Sequence, residues 1–183
     1  MVRKILFAIL LFPVLVQAGT KPSTQEVLIQ LLRNAHGGVG VQTINGETSY
    51  SVFVGTSYFH YLNKNFYLNP GLDFKWGQYP TFNGENIKTS SLVVPLTVGY
   101  TVASDNAIGA NFFSGIIYEQ ILHTDYNNNY RYPINSSQVA VTAGARINIV
   151  NTVGFTVSYA YGLIPLYKDG SGRVSSFSFS FNF

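Results

Sequence analysis

Between Ser176 and Phe183 every second residue is a phenylalanine: Phe177, Phe179, Phe181 and Phe183 alternate with Ser176, Ser178, Ser180 and Asn182. Successive side chains of an extended strand point to opposite faces, so this segment has one aromatic face and one small, polar face. A helix could not use the pattern, because its faces repeat every 3.6 residues. The strand must bury its aromatic face in something apolar, and a protein core and a lipid bilayer are the two candidates.

The same period recurs in seven further segments. Ala35–Ile44 sets Val39, Val41 and Thr43 against His36, Gly38, Gly40 and Gln42. Tyr50–Leu62 sets Tyr50, Val52, Val54 and Tyr58 against Ser51, Gly55 and Ser57, although Phe53, Phe59 and Tyr61 share the small-residue side. Phe66–Gln78 opposes Phe66, Leu68, Leu72, Phe74 and Trp76 to Asn69, Gly71, Asp73 and Lys75. Ser90–Val102 opposes Leu92, Val94, Leu96, Val98 and Tyr100 to Ser91, Val93, Thr97 and Gly99. Ile108–Tyr118 carries Ile108, Phe112, Ile116 and Tyr118 against Gly109, Asn111 and Gly115. Val139–Ile149 and Val153–Gly162 complete the set, with Arg146 and Thr156 on their polar sides.

Composition decides between core and bilayer. Hydrophobic residues make up 46% of the 183, yet only 10% are charged, where a soluble domain carries about 25%. Outside residues 5–16 no apolar run approaches the roughly 18 residues a spanning helix needs, which excludes a polytopic helical protein. Strands of about ten residues suit a tilted membrane crossing. Connections also alternate. Asn63–Asn65, Ser104–Asn106 and Val150–Thr152 are tight, Tyr79–Thr89, Gln120–Ser137 and Leu163–Arg173 are long, and Asn45–Ser49 is the exception. That phasing puts Tyr50, Trp76, Tyr118 and Tyr161 at one end of the apolar face and Phe66, Tyr100 and Phe183 at the other, as two bilayer interfaces favour. The expectation is an all-β, eight-stranded antiparallel up-and-down transmembrane barrel over residues 35–183, in a bacterial outer membrane with both termini periplasmic.

Residues 1–18 read as a secretory signal peptide: Arg3 and Lys4, the apolar run Ile5–Val16, and Val16-Gln17-Ala18 before Gly19. The pI near 9.1 owes much to that segment, so it gives no argument for nucleic acid. Residues 19–34 form an N-terminal periplasmic segment. Ser23-x-x-Glu26 resembles a capping box, and Thr24–Leu32 reads equally as a short helix, a plug or an extension of the first strand.

Pro70 and Pro95 fall inside strands, where proline cannot donate to the ladder. The stretches NKNFYLNPGLDFKWG and SSLVVPLTVGYTV, and later VTAGARINIV and VGFTVSYAYGLIPLY before the Phe-ended strand, resemble the PorT-like outer-membrane β-barrel family. The resemblance covers roughly residues 35–183, and the Thr24–Leu32 segment and the inward Phe53, Phe59 and Tyr61 depart from it. It implies a small outer-membrane barrel and carries over no catalytic residue.

An eight-stranded barrel is just wide enough for side chains to fill it, so no open pore is expected. The inward phase carries a polar network of Asp73, Lys75, Glu119 and Arg146, with Asp73 and Arg146 expected to pair across the lumen. A serine hydrolase would need a histidine, a serine and a carboxylate. Two residues after His36, His60 and His123 stand Gly38, Leu62 and Asp125, not serine, so no catalytic residue and no enzyme activity is expected. Zero cysteines exclude thiolate ligands. Asp125-x-Asn127-x-Asn129 opens like a calcium loop but has Tyr130 where glycine is required and Ser136 where glutamate is required, so no metal and no cofactor is expected.

The function these features support is a structural or surface-interaction role. A conduit or binding barrel for small hydrophobic molecules is the alternative, and a lipid-modifying enzyme ranks below it. The expected partners are outer-membrane lipid, a surface partner at loop 120–137, and the barrel-assembly machinery, which would read Phe177, Phe179, Phe181 and Phe183 as its signal.

Overall fold

The computed structural model describes residues 24–80, 86–104, 108–126, 133–149 and 153–182. Helix α1 (Thr24–Arg33) leads into β1 (Ala35–Ile44), β2 (Glu47–Ser57), β3 (His60–Tyr61), β4 (Phe66–Pro80), β5 (Asn86–Ser104), β6 (Ile108–Asp125), β7 (Ser137–Ile149), β8 (Val153–Gly162) and β9 (Ser175–Asn182). Strands pair antiparallel with their sequence neighbours, except that β2 pairs β4 and not β3. β1 also pairs β9, from His36↔Asn182 to Thr43↔Ser175, and this closes the sheet. β2 and β3 are two pieces of one wall position, both paired to β4. The result is an eight-stranded up-and-down barrel, whose closure leaves no unpaired sheet edge.

The alternation sets which face is which. Val39, Val52, Val54, Phe112, Ile116 and Phe177 are all more than half exposed, while Gln42, Ser51, Asn69, Ser91, Thr97, Asn111, Thr142 and Thr156 are buried. This is a soluble protein turned inside out. Such an arrangement costs free energy in water and is favourable in hydrocarbon, where strand pairing in a closed sheet satisfies the backbone. Phe66 and Tyr100 stack at the end holding the termini, with ring centroids 4.9 Å apart. Tyr50, Trp76 and Tyr161 are exposed towards the loop end, and Tyr118 there donates its hydroxyl to Gln120 Oε1 at 2.8 Å. The signal-peptide segment 1–18 and Phe183 lie outside the described residues.

Two local expectations change, and two further points are resolved. The second strand is not continuous: it breaks at Tyr58–Phe59, bridged by the Tyr58 N–H donating to the Pro70 carbonyl at 2.9 Å. Tyr58, expected on the exposed face, is only 6% exposed. The break lets Phe59 swing to within 5.0 Å of the inward Tyr67 ring. Second, β4, β5 and β6 run further than alternation shows, because their pairing continues out to Gln78↔Lys88 and Lys88↔Asp125 after the outward residues turn polar. Third, residues 24–33 are helical, and Thr56 on β2 donates its hydroxyl to the Leu31 carbonyl. Fourth, the tight first hairpin is explained by Asn45 (φ 52°) and Gly46 (φ 89°), the two left-handed positions of a type I′ turn.

Pro70 and Pro95 lie on neighbouring strands. Between Pro70↔Leu96 and Asp73↔Val93 the β4–β5 ladder skips the positions of Gly71 and Leu72. That follows from two residues with no N–H close together in one ladder.

Candidate functional site: the closed polar lumen

The lumen is occupied in three layers. At the loop end the inward residues turn apolar, and Ile44, Tyr79, Ile87, Ile121 and Ile134 pack with Leu166 and Tyr167 into the largest buried cluster described. The loop after β8 folds inward to supply the last two: Tyr167 donates its hydroxyl to the Pro80 carbonyl at 2.9 Å, and Asn135 Nδ2 donates to the Pro165 carbonyl at 2.9 Å. At the terminus end Phe59, Tyr61 and Tyr67 form an aromatic group with centroids 5.0–6.5 Å apart. The Arg146 guanidinium lies 4.7 Å from the Phe59 centroid, in reach of a cation–π attraction.

Between these ends lies a cavity of about 180 Å³, lined among others by His36, Asp73, Lys75, Glu119, Gln138 and Arg146. The four sequence-predicted residues are all in its wall, but they do not form one network. Lys75 Nζ donates to Glu119 Oε2 at 2.5 Å, and Tyr79 donates its hydroxyl to Glu119 Oε1 at 2.9 Å. Lys75 reaches diagonally across β5, over Ser91, which is wholly buried and too small to block it. Asp73 and Arg146 are not paired. Asp73 instead meets His36 Nε2 at 3.0 Å, and Arg146 donates Nε–H to Thr156 Oγ1 at 3.1 Å. Arg146 is drawn to the aromatic end of the lumen, whereas His36 lies one strand beyond Asp73, in the row His36↔Gly55↔Asp73.

That row requires its glycine. A Cβ at residue 55 would lie 2.1 Å from Asp73 Oδ1 and 2.7 Å from the Leu72 carbonyl, so the ion pair passes over a residue with no side chain. Gly55→Val is expected to cost about 1–3 kcal/mol, in the range for overpacked interiors. Chemical denaturation of folded protein is the check, and unchanged stability would show that the bridge is dispensable.

His36 was expected only as a polar lumen residue, and sequence distance hid its partner. Its ring Nδ1 faces the Asn34 carbonyl at 3.2 Å while Nε2 faces Asp73. Both ring nitrogens thus face oxygen atoms of the lumen wall, the Asn34 carbonyl on one side and the Asp73 carboxyl on the other. His60 is paired with Leu68 on the wall. His123, expected in a loop, is on β6 outside the barrel. Asn127, Asn129 and Tyr130 of the calcium-like stretch lie outside the described residues.

Several buried groups of the lumen have no partner in the protein: Gln42 Oε1, Ser57 Oγ, Ser91 Oγ and both amide atoms of Gln138. Groups so placed are costly unless water reaches them, and those of Gln42 and Gln138 lie in a cavity wall that also includes Phe53, Phe113 and Ile117.

No protein-family model matches the chain, and no curated protein matches it. Solved structures do match in fold. The outer membrane enzyme PagL aligns over 81% of this chain and 98% of its own, with a TM-score of 0.55 and 16% identity. Neisserial surface protein A aligns over 81% and 93%, with a TM-score of 0.51 and 9% identity. The fold is that of the eight-stranded outer-membrane barrels. This architecture is shared by an enzyme and a surface protein, so function has to be argued from residues rather than from fold.

Proposed function

We propose that the chain is a small integral protein of the bacterial outer membrane with a closed lumen and a structural or surface-interaction role, not an enzyme and not a pore. The observation that carries this reading is the pair of seals, Leu166–Tyr167 with the isoleucine cluster at one end and Phe59, Tyr61, Tyr67 and Arg146 at the other. The exposed apolar belt supports membrane insertion, and the short β2–β3 to β4 turn supports a periplasmic terminus end. The PorT-like resemblance agrees with the reading and rests on its short motifs alone. The Phe177, Phe179 and Phe181 face lies on the strand that closes the barrel, where recognition by assembly machinery would act. Of the stretch 120–137 expected to meet a partner, residues 120–125 belong to β6 and residues 127–132 lie outside the described residues, and the end of the barrel that they join is the surface offered to a partner.

A second reading, a conduit for small hydrophobic molecules that leave sideways, has the gap at Gly71 and Leu72 in its favour. Against it, the cavity wall carries two ion pairs beside its apolar residues, and charges are costly to leave against an apolar solute in place of water.

Detergent-purified protein is expected to migrate faster unheated than boiled on a denaturing gel, to be rich in sheet, and to give no steady conductance in planar bilayers. Open-channel steps of porin size would overturn the closed-lumen reading. Recovery as a soluble monomer without detergent would overturn the membrane reading.

A further inference from the structure

At the loop end of the lipid-facing wall, β6 carries a bulge: Ser91 pairs Ile121 and Ser90 pairs His123, so Leu122 is the extra residue. Without it, His123 and Asp125 would fall on the same face as the buried Ile121 and point into the lumen. The bulge turns both outward, the kind of re-aiming for which bulges are retained. Two cross-strand rows result on the outer face, Val52–Trp76–Ser90–His123 and, one step further out, Gln78–Lys88–Asp125 beside Tyr50. Together they line an outward-facing groove of about 420 Å³.

The charges of this groove are unspent. Lys88 and Asp125 are direct cross-strand neighbours, yet the ion pairs among the described residues are His36–Asp73 and Lys75–Glu119 only. One exposed ammonium and one exposed carboxylate thus stand side by side with no direct ion-pair contact between them, and each is open to a further partner. Trp76 and Tyr50 flank them at 46% and 71% exposure, continuous with the apolar belt below.

We propose that this groove is a docking site for a lipid headgroup that carries both a phosphate and a primary ammonium. Lys88 donates to the phosphate oxygens, as a surface cation near a membrane does. Asp125 accepts N–H from the ammonium, and the Trp76 and Tyr50 ring faces attract the same cation. Ser90, Gln78 and His123 supply further polar contacts, and the acyl chains continue down the exposed wall of β4 and β5. A single anionic group would be repelled by Asp125 and a single cationic one by Lys88, so the pairing selects a zwitterion. A quaternary ammonium has no N–H for Asp125 to accept. Ser90, His123 and Asp125 are the residue types of an acyl-transfer triad, but no hydrogen bond joins them in the structure, which favours binding over turnover.

The inference rests on the membrane reading, and one experiment separates the two. Trp76 is the chain's single tryptophan, so its fluorescence reports this groove alone. The protein is reconstituted into vesicles of unbrominated phosphatidylcholine, into which brominated phosphatidylethanolamine, phosphatidylcholine or phosphatidylglycerol is titrated. Phosphatidylethanolamine is expected to be enriched about fivefold at Trp76 over the other two, the factor that ~1 kcal/mol for one exposed charge-assisted contact to Asp125 represents. Asp125→Asn should bring the ratio to near one, and Lys88→Ala should weaken the recruitment of all three phosphate-bearing lipids. Lys64→Ala, in the turn at the opposite end, should leave both unchanged. Equal quenching by all three lipids would overturn the docking site and leave the membrane reading standing. Enrichment of phosphatidylglycerol as strong as that of phosphatidylethanolamine would overturn the zwitterion assignment. Quenching by none would overturn both readings, and release of a fatty acid during the incubation would replace docking by a reactive site.

Discussion

Glu119→Ala is expected to lower the unfolding free energy of the barrel by about 3–5 kcal/mol, the usual cost of removing one partner of a buried ion pair. Glu119 is 7% exposed and takes a hydrogen bond on each carboxylate oxygen, from Lys75 at 2.5 Å and from Tyr79 at 2.9 Å. Removing it strands the Lys75 ammonium and the Tyr79 hydroxyl together, in a space where Gln42 Oε1 and the Gln138 amide already lack protein partners. Tyr79→Phe should cost less, about 1 kcal/mol, since Lys75 still neutralises the carboxylate. The double replacement Lys75→Met with Glu119→Leu should regain much of the loss, because no charge is then left unpaired. Urea unfolding in detergent micelles is the measurement. A double variant as unstable as Glu119→Ala would show that the pair contributes net attraction, beyond avoiding a stranded charge. The analogous loss from Arg146→Ala should be smaller, because Arg146 leaves behind Thr156, which still accepts from Asn182 Nδ2 at 2.9 Å, and an aromatic ring, not a carboxylate.

The strands were legible wherever one face had to be apolar. Phe177, Val157, Leu96 and Val39 each announce their side of the wall by period alone, and the register of eight strands follows from adding neighbours in turn. Legibility stopped where that demand stopped. Beyond Trp76 the outward residues are Gln78, Ser90 and Lys88, so alternation carries no signal and β6 could be followed only to Tyr118, short of its end at Asp125. The bulge at Leu122 is invisible for the same reason. A one-residue insertion in a polar stretch breaks no apolar pattern, and it reverses which way His123 faces. The break at Tyr58 left a trace, since Phe53, Phe59 and Tyr61 sit on the side of the small residues, but alternation could not say that the strand bends to use them.

The lumen shows a different limit. Period 2 gives the face of a charged residue and not its partner, because partners lie on strands far apart in sequence. Asp73 and Arg146 were paired by sign alone. In the structure the deciding factors are height along the barrel and the size of what lies between. His36 is separated from Asp73 by a glycine, and Lys75 from Glu119 by a serine and a valine. The small residues between the charges were legible all along, and in a narrow barrel they are the better guide to which charges meet.

A depth series along the exposed wall gives the second large effect and the most direct test of what surrounds it. Val157→Arg, halfway along β8, is expected to destabilise the barrel by about 2–4 kcal/mol if the outer face meets hydrocarbon, whereas Ile108→Arg, at the terminus end of β6, should cost about 0–1 kcal/mol. Both sites are β-branched, exposed at 38% and 57%, and point outward on paired strands, so the change in sheet propensity should be similar at the two. What differs is distance from the bilayer edge. In water an exposed arginine at either place would cost a few tenths of a kcal/mol at most, as surface substitutions generally do. Unfolding the two variants in lipid vesicles, with Thr101→Ala as a lumen-facing reference that loses one 2.7 Å hydrogen bond to Asn111, separates the cases. Equal small costs at residues 157 and 108 would mean that the belt of valines and phenylalanines is covered by something other than a membrane. A steep difference would fix the height of the bilayer midplane on β8, and with it the height of Trp76, Lys88 and Asp125 above the acyl chains.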